Sequence, residues 1–256
     1  NASAGGENYT GYMEVNNGVI SLPRHEYESD MVLWYHFDNN SSIGETDTLC
    51  VDSSGNGNNG TIVNATWATD AVRDTFLSFD GDDYVDTSLT RGDLGINYSV
   101  SVWFKYEGDT SGSYSAIIGG NDTTTTEFFI GKNDGNTNIG WQDGQYHADM
   151  ATGTNAFDGN WHLLTAVMTN MTGRLYLDGL LKNTKDFTSL CNDEEQIFIG
   201  TEMEGTGYYF NGSIDEVAVY NKSLSEQDVI SLYDESPLAY HNKEAGDVLT
   251  KSGNRI

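Results

Sequence analysis

The sequence predicts an all-β fold, a two-sheet antiparallel sandwich or jelly roll with one short C-terminal helix. Three observations carry this. From Tyr98 onward Val100, Val102, Phe104 and Tyr106 face one way and Ser99, Ser101 and Lys105 the other, the period of two that marks a strand with one buried face. Short apolar runs recur at a spacing of roughly 8 to 12 residues between polar turns, as in sandwiches and jelly rolls. The 29 glycines and only two prolines suit many strands joined by tight turns, and 15 Tyr, 10 Phe and five Trp supply apolar surface for the core.

Taken in order, Met13 and Val15, then Asn16-Asn17-Gly18, then Val19, Ile20 and Leu22 read as two short strands about an Asn-Gly turn, with Pro23 ending the second. Such a hairpin needs a sheet edge, its own or a neighbouring molecule's. The domain proper begins at Met31, where Val32, Leu33, Trp34, Tyr35 and Phe37 form a buried strand. Val51 to Gly60 is a loop whose Asn and Gly residues tolerate positive φ and let oxygens converge. Phe76 to Phe79 with Tyr84 and Val85 read as a hairpin around Gly81. Further strands are expected at Ala116 to Ile118, Phe128 to Ile130, Ile139 to Trp141, Tyr146 to Ala148, Leu163 to Met168, Arg174 to Leu177, Leu180 to Lys185 and Ile197 to Gly200. The last strand holds Ile214, Val217 and Val219, broken by Asp215 and Glu216, and a pair of acids inside an apolar run calls for a partner. Ser225 and Asp228 then form a capping box, Leu224 staples onto Val229, and Val229, Ile230, Leu232 and Tyr233 give one face of a two-turn helix. The organisation read from this is one domain over 31–236, an N-terminal extension over 1–30 holding an exchangeable strand or hairpin, and a C-terminal tail over 237–256.

A net charge of −27, from 12 basic and 39 acidic residues, excludes a nucleic-acid partner and disfavours anionic membranes. No run of 18 apolar residues is present, so no membrane-spanning helix is predicted. No secretory leader is read at the start, and Asn1, which is not a normal start, suggests a processed or trimmed chain. Asn-x-Ser/Thr begins at Asn1, Asn8, Asn39, Asn40, Asn59, Asn64, Asn97, Asn121, Asn170, Asn211 and Asn221, eleven sites where composition alone gives about four. That excess points to an N-glycosylated extracellular or cell-surface protein, the alternative being an Asn/Thr-rich composition. Cys50 and Cys191, the only cysteines, are expected to form a disulfide in that compartment; the other reading is two buried free thiols.

Seven segments stand in a characteristic order: LWYHFD (Leu33 to Asp38), VDSSGNGNNGT (Val51 to Thr61), LSFDGDDYVD (Leu77 to Asp86), YSVSVWFK (Tyr98 to Lys105), NWHLLTAV (Asn160 to Val167), GRLYLDG (Gly173 to Gly179) and the strand and helix from Phe210 to Tyr233. Together the chain over roughly 31–234 resembles the laminin-G-like, concanavalin A-like jelly-roll family. The resemblance implies the fold and a binding or adhesive habit, not catalysis. It also implies a structural Ca²⁺ between an early loop and the closing strand. Asp38, Asp52, Asn56, Asn58 and Asp215 offer the oxygen ligands a hard cation takes.

A glycan site requires an aromatic platform beside polar groups. Trp141, Asp143, Tyr146 and His147 in one hairpin, with Tyr208 and Tyr209 after a glycine-rich loop, are the candidates. Glycosidases of this shape alternate carboxylates along one strand. Here Asp80, Asp82 and Asp83 cluster about a turn and Asp193, Glu194 and Glu195 run consecutively, so no catalytic set is read. Arg91-Gly92-Asp93 is read as turn chemistry. The expectation is a secreted or surface recognition or adhesion module binding a glycan or a surface protein. The alternative is a subunit of an extracellular filament or coat, copies joining through their terminal segments.

Overall fold

The computed structural model describes residues 14–16, 19–21, 30–108, 114–121, 126–132, 139–145, 150–191, 194–202 and 208–234. In chain order the strands are β1 (Glu14–Asn16), β2 (Val19–Ser21), β3 (Met31–Tyr35), β4 (Leu49–Cys50), β5 (Gly60–Val63), β6 (Thr66–Ala68), β7 (Phe76–Asp80) and β8 (Tyr84–Thr90). After the short α1 (Arg91–Leu94) come β9 (Tyr98–Tyr106), β10 (Ser115–Asn121), β11 (Thr126–Lys132), β12 (Ile139–Gln145), β13 (Met150–Ala151) and β14 (Trp161–Thr169). Then follow β15 (Thr172–Leu177), β16 (Leu180–Asp186), β17 (Gln196–Ile199), β18 (Asn211–Tyr220) and α2 (Glu226–Asp234).

Two antiparallel sheets face each other. The first runs β13-β12-β11-β10-β17-β8-β5-β4, the second β16-β15-β14-β9-β18-β7-β6. The alternation predicted at 98–106 places Val100, Val102 and Phe104 of β9 in the core between the sheets, beside Leu33 and Tyr35 of β3, Leu164 and Ala166 of β14 and Ile214, Val217 and Val219 of β18. Burying each such side chain stabilises the fold by about 1.5–3 kcal/mol. The early strand meets the closing one as the sequence requires, Leu33 opposite Val219 and Tyr35 opposite Val217.

β18 is ten residues long and has β9 along one side. On its other side two short strands share its length end to end: β7 pairs residues 211–214 and β3 pairs 217–220. Asp215 and Glu216 fall at the junction, where the register against β9 also shifts and Glu216 has φ of 48°. A non-glycine residue at positive φ within a strand is a bulge that re-aims its side chain.

No described strand pairs with the far side of β3; the Gly/Asn loop takes that place. Trp34 N donates to Asp52 Oδ1 at 3.0 Å, Asn56 Nδ2 to Met31 O at 2.8 Å, Asn58 Nδ2 to Val32 O at 2.8 Å and Tyr35 Oη to Asn58 O at 2.6 Å. The loop thus satisfies an edge that would otherwise be open.

α2 lies on the outer face of the second sheet. Ser225 N and Oγ donate to Asp228 Oδ2 at 2.8 and 2.7 Å and Asp228 N donates back to Ser225 Oγ at 3.2 Å, the predicted capping box. Leu224 and Val229 are buried together against Met31, Val167, Tyr176 and Ala218, and Tyr233 stacks on Trp103 at 5.8 Å. Trp103 therefore breaks the polar alternation of β9 because a helix covers it. The four-residue α1, over the Arg-Gly-Asp tripeptide, is a helix the sequence reading took for a turn, while β4, β5, β6 and β13 are too short to show a period.

The expected disulfide is corrected. Cys50 and Cys191 are free, buried thiols. Cys50 lies on β4 at one end of the first sheet, with its Sγ 3.4 Å from Gly60 O; Cys191 Sγ donates to Asp143 Oδ1, on β12 near the other end, at 2.9 Å. Five strands intervene between β4 and β12, far beyond the reach of a disulfide.

Candidate functional site

The junction on β18 assembles a polar cluster on the outer face of the second sheet. Glu216, turned by its positive φ, accepts from Trp34 Nε1 at 2.9 Å on Oε2. His36 Nδ1 lies 3.3 Å from Oε1 and 3.2 Å from Oε2 of the same carboxylate. The Trp34 and His36 rings are tilted against each other with centroids 4.0 Å apart. These groups remain reachable: the His36 and Glu216 side chains are 25% and 33% exposed. Burial pulls the His36 imidazolium down, but the hydrogen bond and charge of Glu216, with Asp38 and Asp215, carry its pKa above the usual value. Asp38 is raised, first by burial, with Glu216 and Asp74 adding to it and His36 opposing.

Beneath this rim Asp215 is sealed. Its Oδ2 accepts from Arg73 Nη1 in an ion pair whose side chains are only 5% and 3% exposed. Arg73 also lies over the rings of Trp103 and Trp161, at 4.5 and 5.2 Å. The loop that delivers Arg73 is shaped by Asp70, which accepts from the amides of Val72 and Arg73 at 2.8 and 2.7 Å and from Trp161 Nε1 at 2.8 Å. Burial pushes the Asp215 carboxyl upward, while the Arg73 guanidinium pulls it back toward the charged form and Glu216 adds to the rise.

The residues expected to bind calcium do not form one ligand shell. Asp52 Oδ1 accepts from Trp34 N and Ser54 N at 3.0 and 2.9 Å, and Oδ2 from Ser54 Oγ and Asn58 N at 2.8 and 3.0 Å. The Asn56 side chain donates to β3, Asp215 is committed to Arg73, and Asp38 is an exposed neighbour of Glu216. Asp38, Asp52 and Asp215 do not converge as a carboxylate cluster, and both oxygens of Asp52 are already taken by donors, so the set does not fit a Ca²⁺ ion. Among the described residues the converging carboxylates are instead Asp80, Asp82 and Asp83 in the β7–β8 turn. There Asp83, raised to about 6 by burial and then by Asp80 and Asp82, accepts from Asp80 N at 2.5 Å.

The expected glycan platform is corrected as well. Trp141 is fully buried in the core against Tyr98 and Phe187. Asp143 is buried too, taking Arg91 Nε at 2.9 Å and Nη2 at 2.8 Å, Tyr98 Oη at 2.6 Å and Cys191 N at 3.1 Å. Trp141 and Asp143 lie on the inward face of β12, and the expected strand over Tyr146 to Ala148 lies outside the described residues. Tyr208 and Tyr209 are half-buried, Tyr208 edge-on to Tyr114, and Tyr146 and His147 lie outside the described residues. Arg91 being only 1% exposed, the Arg-Gly-Asp tripeptide does not present its guanidinium.

Of the sequons, Asn40, Asn59, Asn64, Asn170 and Asn221 are exposed and Asn97 and Asn211 half-buried. Asn8 and the side chain of Asn121 lie outside the description. Asn59 Oδ1 accepts from Asp52 N at 2.9 Å and Asn211 Nδ2 donates to Asp80 O at 3.0 Å.

Two facing antiparallel sheets with this strand order define a concanavalin A-like jelly roll. The family model described as the concanavalin A-like lectin/glucanases superfamily, laminin-G type, matches residues 79–230, and the chain belongs to that family. Among solved structures it is similar to domain 4 of AbnA, a GH43 extracellular arabinanase from Geobacillus stearothermophilus, solved with arabinotriose. That likeness has a TM-score of 0.62 and 20% identity, covering 80% of this chain and 98% of that one. It is also similar to the botulinum neurotoxin serotype D binding domain, with a TM-score of 0.59 and 19% identity over 83% of this chain and 53% of that one. A Trypanosoma rangeli sialidase mutant displaying trans-sialidase activity follows with a TM-score of 0.62 and 14% identity, over 82% of this chain and 34% of that one. The chain thus spans about half of the neurotoxin domain and a third of the sialidase. At these identities the likeness is one of fold. No curated protein matches the sequence. No helix among the described residues is long and apolar enough to cross a membrane.

Proposed function

We propose that this chain is a non-catalytic recognition module of the extracellular space or cell surface, and that it meets a glycan or glycan-bearing surface protein at the Trp34–His36–Glu216 cluster. The observation that carries the reading is the junction on β18. A half-buried indole and an imidazole are held by one re-aimed carboxylate, with exposed Asp38 and Asp74 nearby. Stacking rings beside carboxylate acceptors are what a sugar ring with its hydroxyls requires. The arabinotriose held by the arabinanase domain and the binding role of the neurotoxin domain support it. The exposed sequons support the extracellular setting, which intact mass before and after endoglycosidase treatment of native protein checks. Catalysis is disfavoured because Asp215, the acid adjacent to Glu216, is sealed beneath Arg73.

Glycan-array screening followed by calorimetry tests the reading. Trp34→Ala and Glu216→Gln should each weaken the best binder by about tenfold or more. A ligand bound equally by wild type and both variants would put recognition elsewhere, and release of sugar product would overturn the non-catalytic reading.

One observation favours a second reading, a subunit that assembles by strand exchange. β1 and β2 form a two-stranded sheet of their own, paired among the described residues with neither large sheet. A hairpin of two three-residue strands is not stable alone.

A further inference from the structure

β16 is an edge strand of unusual character. It pairs with β15 on one side, and no residue along its length is buried. One side-chain bond, Asn183 Nδ2 to Ala151 O at 2.9 Å, ties it to β13 of the other sheet, and no described strand pairs with its outer edge. Leu180 and Leu181 at its start are 62% and 47% exposed, two of the four large apolar side chains that are exposed among the described residues. Lys182 and Lys185 lie on the same strand and Arg174 on its neighbour β15, opposite Thr184. With Asp186 at its end, β16 carries two lysines against one acid, a net basic strand on a chain of net charge −27 in which Arg73, Arg91 and Lys132 are buried.

An open edge with apolar and basic side chains selects an extended, acidic segment. Residues 1–30 carry Glu7, Glu14, Glu26, Glu28 and Asp30 against Arg24 alone, whereas residues 235–256 balance Glu235, Glu244 and Asp247 with Lys243, Lys251 and Arg255. The acidic terminus is also the one that contains the β1–β2 hairpin, which pairs with neither large sheet among the described residues. The sequon map agrees: none falls at 122–169 or 171–210, so β11 to β17 would stay free of sugar apart from the Asn170 turn.

We propose that the outer edge of β16 is the acceptor for the N-terminal β1–β2 hairpin of a second copy of this chain. The pairing rests on the strand-exchange reading and adds its acceptor. Because donor and acceptor are different segments of the chain, the contact is head to tail, and it extends into a chain of molecules unless the rotation closes a ring. Lysines on an edge strand ordinarily deter pairing. Here they deter basic or neutral strands and admit an acidic one.

Sedimentation velocity on the full chain over a range of concentrations tests this, with three perturbations. They are Leu181→Glu with Lys182→Glu on the acceptor, Val15→Asp with Ile20→Asp on the hairpin, and excess synthetic peptide of residues 9–23. Association that strengthens with concentration, and weakens by about tenfold or more under each perturbation, supports the proposal, provided near-ultraviolet circular dichroism of the variants matches wild type. Association lost with the hairpin variant but unchanged with the β16 variant overturns the acceptor and leaves strand exchange standing. A full chain that is monomeric at every concentration overturns both.

Discussion

At the scale of single residues, the chemistry of this molecule concentrates where one strand changes partners. Asp215 and Glu216 differ by one position and have opposite fates: one is sealed against a guanidinium, the other is turned to the surface. Removing Arg73 alone would leave Asp215 buried without its partner, and breaking a buried pair in this way costs about 3–5 kcal/mol. Arg73→Met should therefore lower the urea midpoint strongly, and Arg73→Met combined with Asp215→Asn should recover much of the loss. A double variant no more stable than the single would show that stacking on Trp103 and Trp161, rather than charge, dominates. His36 gives a pH signature. Its folded pKa is raised, so its contribution is fully present below the unfolded value near 6.5 and fades as pH rises through the folded one. His162, which bridges Asp158 and Asp178, is raised in the same direction and acts in the same window. Melting temperature should fall as pH rises across neutrality, and each of His36→Gln and His162→Gln should remove part of that fall. An unchanged slope in both variants would assign it to other groups.

At the scale of elements, what the sequence made legible was what is local. The facing of β9 and the capping box of α2 depend on neighbours within a few residues, and both stand in the structure, although the Ser99–Ser101 face of β9 is buried as well. The hairpin read around Gly81 does not stand, because β7 and β8 belong to different sheets and the turn between them passes from one sheet to the other. The acid pair in β18 was visible as an anomaly, yet its partners lie 142 residues away at Arg73, 182 at Trp34 and 180 at His36. No period reports such distances. The Gly/Asn loop misled for a related reason. Its oxygens converge as expected, but on the backbone of β3 rather than on an ion, and a composition suited to one is suited to the other. Trp141 and Asp143 share a face of β12 that turns inward, and one strand read alone does not tell which face meets the other sheet. The β7–β8 turn carries an element-level prediction. Asp83 has a folded pKa raised to about 6, so its charging disfavours the fold progressively as pH rises through that value. Asp83→Asn keeps an acceptor for the Asp80 amide and removes the repulsion from Asp80 and Asp82. It should raise the melting temperature above pH 7 by about 2–4 °C and leave it unchanged near pH 4. A loss of stability at neutral pH would mean that the carboxylate itself is required there.

At the scale of the whole molecule, two facts set its behaviour: no described covalent link holds the sheets together, and a net charge of −27 pushes the surface apart. Both thiols are buried, with pKa values driven upward chiefly by burial. A thiol that is inaccessible and protonated is a poor nucleophile. Native protein should therefore react with Ellman's reagent only after denaturation, then release two equivalents without prior reduction. Stability must come from the core between the sheets and from the outer-face clusters under α2, against self-repulsion among 39 acids. Repulsion between exposed charges is long-ranged at low salt and largely screened once the Debye length drops from about 10 Å at 0.1 M to about 3 Å at 1 M. The buried Arg73–Asp215 and Arg91–Asp143 pairs, shielded from solvent, are screened far less. Salt should therefore remove the unfavourable term and spare the favourable ones, so the melting temperature should rise steadily from 0.05 to 1 M sodium chloride, by about 5 °C or more. Sodium chloride is the telling choice because sulfate would also strengthen apolar burial. A melting temperature that falls with sodium chloride would mean that exposed ion pairs such as Lys105–Glu107 and Lys222–Asp30, rather than net repulsion, govern the electrostatics of this fold.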